Sequence, residues 1–142
     1  MEKRCANLSY LVLMQTSKAL QERMKLELAK SNLGITEFSV LEVLYHMDKS
    51  TIQQIGSKIL ISSGSMTYII DKLEQRGLLI RSACPDDRRV IHVALTNDGN
   101  KLMDNIMPKH RELVDYLLGS LNDDEANMLV ALLKKINKRA EN

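Results

Sequence analysis

Along the first 33 positions apolar residues recur at every fourth place. Leu8, Val12, Leu20, Met24 and Leu28 form a stripe, with Thr16 in the gap. From Ala6 to Ser31 there is neither Gly nor Pro, so the spacing predicts one long helix. About 25 residues at 1.5 Å each make a rod of nearly 40 Å, longer than one small core can cover. Gly34 breaks the pattern, Thr36 reads as an N-cap, and Ile35 with Val40 fits a hydrophobic staple. Phe38, Val40, Leu41, Val43, Leu44 and Met47 then predict a buried helix, followed by a turn at Asp48-Lys49-Ser50. Ile52, Ile55, Ile59 and Leu60 mark a short helix, and Ile61-Ser62-Ser63-Gly64 a turn in which a serine can cap the next one.

In that next helix Met66, Ile69, Ile70 and Leu73 share one face. Ser65, Thr67, Tyr68, Asp71, Lys72 and Arg76 share the other, and Gly77 fits a C′ position. The period then changes to that of strands, Leu78 to Arg81 and Val90 to Leu95, around a polar loop from Ser82 to Arg89. Helix, turn, helix and two-stranded ribbon form a winged helix-turn-helix, a module that reads DNA. After it, Thr96-Asn97-Asp98-Gly99 offers cap chemistry for a helix reaching about Leu118, with a kink or break expected at Pro108. Asn122 to Glu125 resembles a capping box, and Leu129, Leu132, Leu133 and Ile136 form the seam of a last helix to about Lys138. The fold expected is mainly α with a small β wing. It is one domain over 1–142, with a reading core at 36–96 between dimerisation helices at 1–33 and 97–142.

Totals add limits. The 142 residues, 44% hydrophobic and 27% charged, suit one globular domain with net charge +2. No stretch approaches the roughly 20 apolar residues of a membrane span. Two cysteines, Cys5 and Cys84, and no leader-like segment point to a reducing cytoplasm. His46, His92 and His110 lack zinc-ligand spacing, so neither metal nor cofactor is expected. No phosphate loop or nucleophile motif suggests an enzyme.

A helix entering the major groove needs small residues where its backbone approaches, and Ser63, Gly64 and Ser65 meet that need. Thr67, Tyr68, Asp71 and Lys72 lie further along, where base edges would be. Asp71 repels phosphate but can accept from cytosine N4. Arg76 is placed to reach the DNA backbone. Between Ser62 and Arg89 five basic residues face four acidic ones, so local geometry, not a strong field, must do the sorting.

Three stretches carry a family resemblance: Ser63-Gly64-Ser65-Met66-Thr67, Leu73-Glu74-Gln75-Arg76-Gly77-Leu78, and Asp86-Asp87-Arg88-Arg89 followed by Leu95-Thr96-Asn97-Asp98-Gly99. On these the chain resembles the MarR family over essentially its whole length. The resemblance implies a cytoplasmic homodimer on a pseudo-palindromic operator in double-stranded DNA. It further implies a repressor released by a small phenolic or quinone-like ligand or by thiol oxidation. Arg88 matches the family's wing arginine and is expected in a minor groove, with Asp86 fixing its direction and Arg89 at a phosphate. Cys84, between Arg81 and Arg88, is one candidate redox sensor, since nearby cations favour thiolate; a tolerated loop residue is the other reading. Cys5 is a second candidate, in the region where the peroxide-sensing branch keeps its reactive cysteine, displaced by about a turn. Met14, Met24, Met103 and Met107, with Tyr10, Tyr45 and Tyr116, are candidate pocket residues. The alternative function is a winged-helix protein-interaction module without specific DNA binding.

Overall fold

The computed structural model describes residues 7–59 and 63–142, with backbone alone for Ser63 and Gly64. In chain order its elements are α1 (Leu8–Ala29), α2 (Ile35–His46), β1 (Lys49–Thr51), α3 (Ile52–Ile59) and α4 (Ser63–Gln75). These are followed by β2 (Leu79–Ala83), β3 (Ile91–Leu95), α5 (Asn97–Leu118) and α6 (Asp123–Ala140). Cys5 and residues 60–62 of the expected turn lie outside the described residues.

Helix ends fall where side chains satisfy the orphan backbone groups. Thr51 and Gln54 cap α3 reciprocally: the Gln54 N–H donates to Thr51 Oγ1 at 3.1 Å, and the Thr51 N–H to Gln54 Oε1 at 2.9 Å. Asn122 and Glu125 do the same for α6, as their spacing predicts. The expected Thr36 cap is corrected: Gly34 is the N-cap of α2, and its N–H donates to Glu37 Oε1 at 3.0 Å. The cause lies upstream. Asn32 turns left-handed (φ 56°) and the Leu33 N–H closes onto Leu28 O at 3.1 Å, so the chain is already extended at Gly34. α4 ends in the same way, with Gly77 left-handed (φ 74°) and the Leu78 N–H on Leu73 O.

The sheet has three antiparallel strands in the order β1-β3-β2. The expected turn at Asp48-Lys49-Ser50 is therefore corrected: the chain bends at Met47 and Asp48 (φ 27° at Asp48), and Ser50 pairs with Val93. Arg81 pairs with Val93 from the other side, so β3 is central and β2–β3 forms the wing.

Within Met1–Met107 the buried residues form one core. It holds Phe38, Val40, Leu41 and Leu44 of α2, Ile55 of α3, Met66, Ile70 and Leu73 of α4, Leu79 and Val93 of the sheet, and Met103, Ile106 and Met107 of α5. Each such side chain contributes roughly 1.5–3 kcal/mol on burial. Met103 and Met107 are thus core residues, while Met14, Tyr10 and Tyr116 are exposed. α5 stays helical through Pro108, so of the kink or break expected there the break does not occur. The missing N–H removes one bond, and the turns on either side carry on. At that point the chain divides into two compact units, Met1–Met107 and Pro108–Asn142. Within the second, no residue of α6 is buried.

Candidate nucleic-acid interface

The roll of α4 about its axis is set by its buried side. Met66, Ile70 and Leu73 are fully buried, Ile69 half so, and this leaves Ser65, Thr67, Tyr68 and Lys72 exposed on the opposite side. The first turn, from Ser63, presents backbone N–H groups that no helical carbonyl can accept, the usual ground for anion or phosphate contact. Ser63, Gly64, Ser65, Thr67, Tyr68 and Lys72 therefore run along one helix, from its N-terminus towards its C-terminal half.

Two residues assigned to that surface are held elsewhere. Arg76, expected to reach the DNA backbone, donates from Nη1 to Asn32 O at 2.8 Å and lies 3.3 Å from Glu37 Oε2, an internal tie. Glu37 is itself buried on α2, and its other oxygen lies 3.7 Å from Lys72 Nζ. Asp71, expected at a cytosine, accepts through Oδ1 from Arg81 Nη2 on β2. Glu74 completes that cluster, accepting the Arg81 N–H at 3.1 Å with Nη1 at 3.6 Å. Neither Glu37 nor Arg81 was singled out from the sequence as a partner of α4. The i, i+3 spacing of Asp71 and Glu74 was the available signal for Arg81, since it puts both carboxylates on one side of the helix.

In the wing the ion pair falls one residue later than expected. Asp87 Oδ1 accepts from the Arg89 N–H at 3.0 Å and from Nε at 3.2 Å. Among the described residues no hydrogen bond or ion pair joins Asp86 to Arg88. The turn decides this: the Val90 N–H donates to Asp87 O, which folds residue 89 back over the Asp87 carboxylate. The Arg89 side chain, and then its backbone N–H, hold the Asp87 carboxyl below its usual range. Arg88 is exposed at the tip and outside every ion pair among the described residues. Cys84 is a half-buried free thiol where the tip loop leaves β2, its N–H bonded to Val90 O.

The Leu95-Thr96-Asn97-Asp98-Gly99 motif proves to be a joint. Thr96 Oγ1 donates to Gly77 O at 2.6 Å and accepts the Gly99 N–H at 3.1 Å, tying the start of α5 to the exit of α4. A Cβ on Gly99 would stand 2.0 Å from Leu78 O, so only glycine permits the approach.

Among the described residues no three His, Cys, Asp or Glu side chains group as a metal site requires, and no helix is long and apolar enough to cross a membrane.

Residues 33–91 match the MarR family. The HTH-type transcriptional regulator MhqR of Bacillus subtilis (strain 168) is 41% identical over 132 residues, covering 93% of this chain and 91% of the relative. Among solved structures, BpsR of Bordetella bronchiseptica, studied for regulation of its DNA binding by 6-hydroxynicotinic acid, is 25% identical. Its TM-score is 0.82, with coverage of 92% of this chain and 99% of that one. A cysteine-to-serine mutant of MarR from E. coli complexed with operator DNA shares the fold at TM-score 0.81 and 24% identity, covering 91% and 92%.

Proposed function

The chain belongs to the MarR family of winged-helix transcriptional regulators, and from that premise we propose that it is a homodimeric, sequence-specific DNA-binding regulator. The reading includes repression from a pseudo-palindromic operator in the cytoplasm, with release by a small hydroxylated aromatic or quinone-like effector. One observation carries it above the others: the polar side of α4 is exposed beside a wing whose exposed tip arginine, Arg88, is outside every ion pair among the described residues. In this reading the first turn of α4 holds phosphates, Tyr68 and Lys72 meet base edges, and Arg88 enters the minor groove. The exposed seam of α6 and the N-terminal part of α1 serve as the dimer interface, so that 1–142 acts as one domain around its 36–96 core. The effector class is supported by BpsR, whose DNA binding is regulated by 6-hydroxynicotinic acid.

The test is a salt titration of binding to the DNA upstream of the protein's own gene. Wild type should bind it tightly and lose affinity as salt rises, because phosphate contacts release counterions. Arg88→Ala should weaken binding by about tenfold, the scale of one groove contact. Affinity equal to that for random duplex would remove the reading. Adding a quinone to wild type, Cys84→Ser and Cys5→Ser then separates a thiol switch from a pocket: release retained in both serine variants selects the pocket.

A further inference from the structure

Between the end of α4 at Gln75 and the start of β2 at Leu79 the chain has only three residues, and one of them is the left-handed Gly77. A Cβ at Gly77 would meet nothing within 4 Å, but the link is pinned by hydrogen bonds: the Gly77 N–H donates to Glu74 O, the Leu78 N–H to Leu73 O, and the Gly77 carbonyl accepts from Thr96 Oγ1. The helix that would meet base edges and the wing that carries Arg88 are therefore joined by a short link held through its main chain and through the buried Leu78 and Leu79. Beyond the link itself, a side chain of the wing reaches back to α4. Arg81 of β2 donates from Nη2 to Asp71, lies 3.6 Å by Nη1 from Glu74 Oε1, and gives its backbone N–H to Glu74 Oε2. Asp71 and Glu74 are one helical turn apart on the same side of α4, so the planar guanidinium grips the helix at two levels. The strand end of the grip is fixed too, because Arg81 pairs with the fully buried Val93. Both carboxylates are well exposed, and exposed ion pairs add little to folding stability. What a two-point grip of this kind supplies is orientation.

We infer that Arg81 is a positioning residue for DNA binding, locking the recognition helix and the wing into one rigid reader. This rests on the DNA-binding reading above. With the clasp intact, Arg88 reaches its groove at no further ordering cost when α4 docks. Without it, the sheet and the link alone set the angle of the wing to α4, and part of the Arg88 contribution is lost.

The test is a double-mutant cycle in operator binding with Arg81→Ala and Arg88→Ala, each protein first checked for an unchanged circular dichroism spectrum and melting point. Arg88→Ala should cost about tenfold in affinity in the wild-type background but only about two- to threefold in the Arg81→Ala background. Arg81→Lys keeps the charge but cannot span two carboxylates, so it should behave like alanine. Should Arg81→Ala fail to fold, Asp71→Asn with Glu74→Gln takes its place in the cycle, with the same coupling expected. Independent, multiplying losses, or rescue by lysine, would overturn the clasp and leave Arg81 as a scaffold or phosphate contact. Wild type binding no better than to random duplex would instead overturn the DNA-binding reading on which the clasp depends.

Discussion

α4 and α6 are both amphipathic, yet their apolar sides meet different fates within one chain. On α4, Met66, Ile70 and Leu73 are at most 1% exposed. On α6, Leu129, Leu132, Leu133 and Ile136 remain 36–52% exposed. The polar face of α4 is thus presented by a helix whose apolar side is buried, whereas the apolar seam of α6 stays exposed among the described residues. Periodicity reveals that a helix has a face to bury; it does not reveal whether the same chain buries it. The reader is finished within the protomer, and the seam of α6 is where we place the second copy.

The contrast can be broken most sharply at α6. Leu133→Asp puts a charge on both sides of a two-fold interface and should yield monomers by sedimentation velocity. Affinity for a two-half-site operator should fall by about 100-fold or more, since linking two sites is worth about 10²–10⁴. A variant that stays dimeric and binds normally would remove α6 from the interface. Next, Ile70→Ala should cost about 2–5 kcal/mol in denaturant unfolding, as buried large-to-small changes do. Leu132→Ala, measured on dilute monomer, should cost under about 1 kcal/mol, the scale of changes outside a packed core. Equal losses would mean that α6 is packed within its own chain.

At the joint between the reader and α5, Gly99→Ala drives a methyl group into Leu78 O and should lower stability by about 1–3 kcal/mol. Thr96→Val removes the cap and its bond to Gly77 O, costing about 1 kcal/mol in thermal unfolding. Smallest of all is the effect of pH at Asp87. Its carboxyl is held below the usual 3.8 by Arg89, so the contribution of this pair is present above that value and lost as pH falls through the lower folded value. Asp87→Asn should therefore leave the dependence of stability on pH between 5 and 8 unchanged, and alter it only on acidification.

The helices and the wing were legible because each is announced by local spacing: fours in α1, a 3.6 period in α4, alternation at Val90 to Leu95. β1 was not. Lys49-Ser50-Thr51 is short and polar, and becomes a strand only because β3, some 40 residues later, lies alongside it. The same limit governs the candidate site. A helical wheel puts Asp71 and Arg76 on the polar side of α4 but cannot show that Arg81, Asn32 and Glu37 arrive there first. Asp86–Arg88 and Asp87–Arg89 have identical spacing, and only the turn closed by the Val90 N–H selects the second. Lys72, Tyr68 and Thr67, whose exposure follows from the apolar face alone, were placed as the pattern predicts.

The carboxylates that hold Arg76 and Arg81 also bear on how the protein would find its target. Attraction to arbitrary duplex comes almost wholly from cations that displace condensed counterions, at about 0.9 in the logarithmic salt slope per phosphate neutralised. Two arginines per protomer are already neutralised inside the reader, which would make that slope shallower by about 2 per protomer than a count of basic residues suggests. Sliding along random sequence would be brief, and the operator would be reached mainly by repeated collisions from solution. Shape and hydroxyl contacts on α4, not charge, would then decide where the protein stays.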